Sequence, residues 1–481
     1  MRVLLGAFVV IAACSSSGEN GAQAPSTTPQ PAHDAGASPK PPTPIPTIGG
    51  VPTLSDENPD PHVVEVHLTA TRAQAPIDGK LIDVLAFNGT VPGPLLQARA
   101  GDRLIVHFKN ELGEPTTVHW HGLRVPVAMD GSPRVMTPVA NGETFTYDMI
   151  APDAGSFWYH PHVHTNDQLE RGLYGPIAIH GNDEPVYDRE RELMLDDVLL
   201  DTSGNIAAES LGGLTALSGR YGKLMLTNGR NAATARETAT KGEVERWRIV
   251  NTANARRMNL LVEGARARLI GTDGGLLPSP LPLPSPLVLP VGGRYDLEIA
   301  YDQPGAARLV SFLPGAAAPD DRTTMLEVGV TDSANSPREV AFPPVTPAVP
   351  ERAPTQSFTM SFDYLQTGAG AEWRINGEAH LMTPMLSVPQ GTTLKLKLEN
   401  NTVGVEHPFH LHGQFFRVLD AAWPGLRDTV QVPASGPIEI VAYLDNPGRW
   451  MAHCHILEHA EVGMMAEIDV LAPGAGMSDA H

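Results

Sequence analysis

The stretch Gly391-Thr392-Thr393-Leu394-Lys395-Leu396-Lys397-Leu398-Glu399-Asn400 decides the fold. Its leucines alternate with polar residues. Successive side chains of a strand point to opposite faces, so a period of two predicts a strand buried on one side. A turn glycine opens the stretch and an asparagine closes it. The same span recurs as Gly101-Asp102-Arg103-Leu104-Ile105-Val106-His107-Phe108-Lys109-Asn110 and as Gly242-Glu243-Val244-Glu245-Arg246-Trp247-Arg248-Ile249-Val250-Asn251. Later segments correspond too: Gly155-Ser156-Phe157-Trp158, Pro304-Gly305 and Pro447-Gly448-Arg449-Trp450. Three similar strand-rich units predict an all-β chain of three β-sandwich domains. We place them at 61–185, 186–350 and 351–472, with a tail at 473–481. The one helix expected is a short one near Cys454 to His459.

The composition agrees. A length of 481 residues allows about three domains. Glycine (46) and proline (45) are abundant, which favours short strands and turns over long helices. The net charge of −20 argues against nucleic acid as a partner, because it offers little to neutralise phosphates. No apolar run reaches the ~20 residues of a membrane-spanning helix.

There are two cysteines, Cys14 and Cys454. Met1 and Arg2 precede an apolar run, Val3 to Ala13, that ends at Cys14. A basic residue, a short apolar segment and small residues read as a secretory signal. Ile11-Ala12-Ala13-Cys14 is similar to a bacterial lipobox, in which the cysteine becomes the lipidated first residue. Residues 1–14 are therefore expected to be a lipoprotein-type signal peptide, with the protein extracytoplasmic and held to a membrane only through a lipid on Cys14. Residues 15–60, rich in Pro and Ser, read as an extended linker. Cys454 is then the only thiol of the mature chain.

Of the 18 histidines, most fall in four short clusters. These are His119-Trp120-His121, His160-Pro161-His162 with His164 behind it, His407-Pro408-Phe409-His410-Leu411-His412, and His453-Cys454-His455-Ile456-Leu457-Glu458-His459 followed by Met464. Imidazole and thiolate together bind borderline or soft first-row metals. A cysteine, two histidines and a distant methionine suit a copper electron-transfer site, for which Cys454, His459, Met464 and His407 are the candidates. Zinc is the competing metal, but it usually makes closed four-ligand sites without methionine. Alternate residues of a strand share a face, so each His-x-His pair is expected to point both rings the same way, with Cys454 opposed to His453 and His455. Four such pairs offer enough imidazoles for three further ions. His164 reads as a surface or supporting residue.

In this order, the four clusters resemble those of multicopper oxidases, most of all the three-domain bacterial branch of laccases, copper-efflux oxidases and bilirubin oxidases. The resemblance spans about residues 60–472. It implies three cupredoxin-like Greek-key domains, the middle one without ligands, where Arg257-Met258-Asn259 stands in place of a His-x-His. It also implies four copper ions. His407, Cys454, His459 and the axial Met464 would hold the type 1 ion, and His119 and His410 the type 2 ion. His121, His160 and His455 would hold one type 3 ion, and His162, His412 and His453 the other. Electrons from a small-molecule or metal-ion reductant would enter near His459 or His407 and pass from Cys454 through His453 and His455. Dioxygen would be reduced to water by four electrons. A monomer is expected.

Oxygen reduction consumes protons, and Asp130 and Glu461 are the candidate acids. Asp130 matches an aspartate of this branch. Just after His459 the branch commonly has an acid where this chain has Ala460, so either Glu461 substitutes or protons arrive by water. The methionine-rich insert of the copper-efflux oxidase has no counterpart. Only Met360, Met382 and Met385 lie between Arg352 and His407, so an open type 1 site and laccase-like action on phenols, amines or low-valent metal ions are expected. The alternatives are a cuprous oxidase for copper tolerance and a copper-binding or storage protein with little turnover.

Overall fold

The three repeats become three equivalent strands, Arg103–Glu111, Val244–Asn251 and Thr392–Asn400, in a computed structural model. It describes residues 45–312, 322–367, 370–381 and 383–474. The expected signal peptide with Cys14, the linker up to residue 44, Met382 and the tail beyond residue 474 lie outside the described residues.

Each repeat strand runs parallel to an earlier strand on one side: Val63–Ile77, Arg189–Val198 and Gln356–Thr367 respectively. On the other side each pairs antiparallel with a later one: Thr144–Ile150, Arg294–Ala300 and Ile438–Leu444. The glycines that open the repeats all have positive φ, between 86° and 98°, which a side chain would disfavour. The closing asparagines do identical work. In each, Oδ1 accepts the backbone N–H two residues on (Leu112, Ala253, Thr402), and Nδ2 donates to two carbonyls of the following loop and a facing segment. One side chain thus satisfies the backbone where the strand stops.

Among the described residues, six sheets form around three large apolar cores, one each for the first, middle and last parts of the chain, with smaller clusters between them. The first and third repeat strands alternate in burial as their sequences require. The middle strand, Val244–Asn251, is buried along its whole length. Its polar face is covered, and the charges there are paired. Arg246 bonds Asp296 and Glu184, and Arg248 bonds Glu190 and Ser156 of the first unit. Buried charge persists because it is neutralised and hydrogen-bonded.

Residues 45–60, read as the end of the linker, belong instead to the folded body. Ile48–Gly49 adds to the sheet of Arg189–Val198 and buries Ile48, while Thr53 bridges to Leu95. The proline-rich composition conceals this because an added strand needs only backbone groups and one apolar side chain. Helices among the described residues are short: Thr165–Glu170, Gly213–Ser218 and Leu457–Glu461. The last is the expected one, displaced because Cys454 remains in the strand Gly448–Cys454. No described helix is long and apolar enough to cross a membrane.

Candidate metal centres

Strand register assembles the histidines. His119–His121 is an edge strand whose His119 lies opposite His160. In the last unit His410 lies opposite His453, and Phe409 opposite Cys454. Opposed residues share a face, so His410 and His453 project one way and Cys454 the other. The first and last units meet ring to ring. His119 stacks on His412 at 3.9 Å and His121 on His410 at 3.8 Å between centroids. All eight rings of the four His-x-His pairs come together here, as the alternation requires.

The hydrogen bonds choose which nitrogen of each ring stays free. His119 Nδ1 donates to the Asp130 carbonyl (2.8 Å), His160 Nδ1 to Pro161 (2.9 Å), His410 Nδ1 to Asp428 (3.0 Å) and His453 Nδ1 to Cys454 (2.8 Å). His412 Nδ1 is held by Asp130 Oδ2 at 2.9 Å. A carbonyl only accepts, so each Nε2 is left with a lone pair. The Nε2 atoms of His119, His160, His162, His410 and His455 are buried without a partner. Those of His412 and His453 face each other at 3.1 Å. His121 is turned round, with Nε2 near Asp428 and Thr429 (both 3.2 Å) and Nδ1 unpartnered. Burial pushes His412 and His453 down to about 3 and His410 to about 4, and moves His121, His160, His162 and His455 well below the ordinary value. Buried, neutral, orphaned lone pairs are costly unless a cation meets them. Three such triads have ligand atoms within 4.8 Å of one another: His119/His121/His160, His119/His410/His412 and His162/His412/His453.

The second centre lies on the opposite face of the same backbone. Cys454 Sγ is 3.5 Å from His407 Nδ1 and 3.7 Å from His459 Nδ1. His459 Nε2 donates to the Leu217 carbonyl at 3.1 Å. His407 Nε2 donates to Thr402 Oγ1 at 3.1 Å, since that hydroxyl itself donates to Asn400. Both Nδ1 lone pairs therefore aim at the sulfur. Burial pushes the Cys454 thiol up, so it becomes a thiolate only against a cation. Met464 is buried in the same apolar cluster, and its carbonyl accepts the Cys454 N–H at 3.1 Å.

The expected open site is not found. His407 and His459 are both buried. Trp373 stacks on His459 at 4.0 Å, and its indole N–H holds the Ala216 carbonyl at 2.6 Å. The helix Gly213–Ser218 of the middle unit thus covers His459, although no methionine-rich insert is present. Glu461 also differs from its expected role. It faces exposed His164 at 3.8 Å, and the buried acid of its helix is Glu458, bonded to Asn254 and Arg220. Glu461 is itself half-buried, and burial raises its carboxyl.

Asp130 does reach the cluster. Its Oδ1 is 3.3 Å from His119 Nδ1, and it joins the first unit to His412 of the last. Burial alone would raise its carboxyl, but the two imidazoles hold it well below the usual range. Sequence reading missed its counterpart, Asp428, just before the strand Thr429–Val432. Arg294 of the middle unit grips Asp428 through two bonds, 2.6 and 2.5 Å, and the guanidinium outweighs burial to hold that carboxyl low. The middle unit also contributes Gly292. With φ at +80°, a Cβ there would come within 3.0 Å of the His121 and His455 rings. The polar run Arg427-Asp428-Thr429 at the head of an apolar strand is the only local signal of this arrangement.

Known proteins match along the chain. Family models described as multicopper oxidase match residues 69–184 and 348–473. The Mycobacterium tuberculosis multicopper oxidase MmcO is 30% identical over 455 residues, covering 85% of this chain and 87% of that protein. Laccase-1 of Botryotinia fuckeliana is 28% identical, covering 80% and 78%. A multicopper oxidase structure from Campylobacter jejuni, described as a metallo-oxidase, is 27% identical with a TM-score of 0.78, covering 89% and 96%. Its likeness along most of its length, and two centres whose donor atoms suit copper, show that the chain belongs to the multicopper oxidases, copper-dependent oxidoreductases that use dioxygen and a reducing substrate.

Proposed function

We propose that this protein is a laccase-like oxidase that takes electrons one at a time from phenols, aromatic amines or low-valent metal ions. In this reading His407, Cys454 and His459, with Met464 as axial ligand, hold the type 1 ion. His119 and His410 hold the type 2 ion. His121, His160 and His455 hold one type 3 ion, and His162, His412 and His453 the other. The observation that carries it is the set of buried, unpartnered imidazole nitrogens converging beside a thiol flanked by two Nδ1 atoms. Copper, when bound, supplies one-electron transfer at the first centre and dioxygen reduction at the second. The chain's own residues orient and conduct. Asp130 and Asp428 fix the ring nitrogens, and His453 and His455 flank Cys454 in the backbone that joins the two centres. Both acids touch cluster imidazoles and, held as carboxylates, can pass protons on toward oxygen reduction without storing them.

Oxygen uptake by copper-loaded protein, with syringol or cuprous ion as reductant, tests this reading. Uptake with syringol is the expected result. Uptake with cuprous ion alone would favour a second reading, a metallo-oxidase. The burial of His459 speaks for that one, because an ion needs less room than a phenol. Copper occupancy without uptake would leave only a copper-binding protein.

The run from Val3 to Ala13 before Cys14 supports an extracytoplasmic, lipid-anchored protein. Labelling of expressing bacteria with a palmitate analogue is expected to mark the wild type and not Cys14→Ser. An unlabelled wild type would remove the anchor from the proposal.

A further inference from the structure

The cover over His459 raises the question of where a reductant delivers its electron. The Leu217 carbonyl occupies Nε2, the edge that an open site would present to substrate. Trp373 lies flat on the ring and also approaches His407 edge-on at 5.1 Å. Trp373 is fully buried, so neither it nor the histidines meet solvent.

One aromatic ring continues the stack outward. Tyr364, on the strand Gln356–Thr367, lies directly opposite Trp373 on the strand Gly370–Ile375, and their ring centroids are 5.2 Å apart. Tyr364 is 45% exposed. Tyr364, Trp373 and His459 therefore form an unbroken file of π-systems from the surface to a ring whose Nδ1 is 3.7 Å from Cys454 Sγ. The helix that closes direct access also sets this file, because its Ala216 carbonyl fixes the Trp373 indole.

We propose that Tyr364 is the electron-entry point for aromatic reductants too large to reach His459, and that the Tyr364–Trp373 pair conducts the electron inward. This rests on the oxidase reading above. A phenol stacks on the exposed Tyr364 ring by offset or edge-to-face contact. It gives up one electron and releases its hydroxyl proton to solvent, leaving as a phenoxyl radical. The electron acceptor would be the oxidised copper that His407, Cys454 and His459 would hold. The two protein rings stay closed-shell and supply orbital overlap. The reductant class is thus the bulky phenolic, including phenols on a polymer, and the surface at Tyr364 selects it.

The test uses syringol coupled to soluble dextran, free syringol and cuprous ion, each mixed without oxygen with copper-loaded protein. The readout is bleaching of the thiolate-to-copper absorption band. Tyr364→Leu, a surface change, is expected to slow reduction by dextran-bound syringol by about tenfold or more. The band, the copper content and reduction by cuprous ion should be unchanged. Trp373→Phe, which keeps a ring, should be slowed less than Trp373→Leu. In saturation-transfer NMR on the copper-free protein, the syringol signal should weaken with Tyr364→Leu. Equal rates for wild type and Tyr364→Leu with dextran-bound syringol would overturn the entry point. A wild type that no form of syringol reduces would overturn the phenol-oxidase reading and the entry point with it.

Discussion

Cys454→Ser should show no oxygen uptake above background with any reductant, and no thiolate-to-copper absorption, while keeping the fold. The sulfur lies at the only place where the Nδ1 atoms of His407 and His459 converge. A serine hydroxyl is a poor partner for a borderline or soft metal, and its oxygen does not ionise in a buried site. Cys454 also sits in the backbone between His453 and His455, both of which belong to the imidazole cluster. The change is nearly isosteric, so the cost to stability is that of burying a hydroxyl, about 1–3 kcal/mol. An oxygen electrode, an absorption spectrum and circular dichroism decide the matter. Residual turnover in the folded variant would mean that electrons reach the cluster by another route.

The second large effect is expected at Arg294. Its guanidinium is fully buried and touches all three units. It bonds both oxygens of Asp428 in the last, the Ser156 carbonyl in the first (3.0 Å), and the Asp273 carbonyl in its own (3.1 Å). Arg294→Met leaves Asp428 buried without its countercharge, a loss worth about 3–5 kcal/mol. The midpoint of chemical unfolding should fall accordingly. Arg294→Lys should rescue little, because an ammonium cannot reproduce the two-pronged bond. Copper content should fall as well, since Asp428 orients His121 and its carbonyl orients His410. Supporting groups of this kind typically change metal affinity by about 10–100-fold. An unfolding midpoint within error of wild type would show that water replaces the guanidinium.

The legible part of this molecule was local. The alternation in Thr392–Asn400 and its two counterparts is a property of neighbouring residues, so three sandwiches could be read without any long-range contact. The same is true of the paired histidines. Residues two apart on a strand must share a face, and Cys454 between His453 and His455 must face away. The middle strand, Val244–Asn251, marks the limit. Its arginines carry no local sign of burial, yet they are buried because Glu184, Asp296 and Glu190 come from elsewhere to neutralise them.

Ligand chemistry and strand period were therefore set by the sequence alone: the imidazoles, the Cys454 thiol, and the faces they occupy. The tertiary structure decided what surrounds them. Asp428 meets His121 across 307 residues of chain, and Arg294 meets Asp428 across 134. Leu217 reaches His459 from the middle unit, and a one-turn helix sends Glu461 toward His164. None of these carries a local period. A charged or polar side chain in a buried site is defined by the partner that satisfies it, and that partner is chosen only when the three sandwiches close on one another.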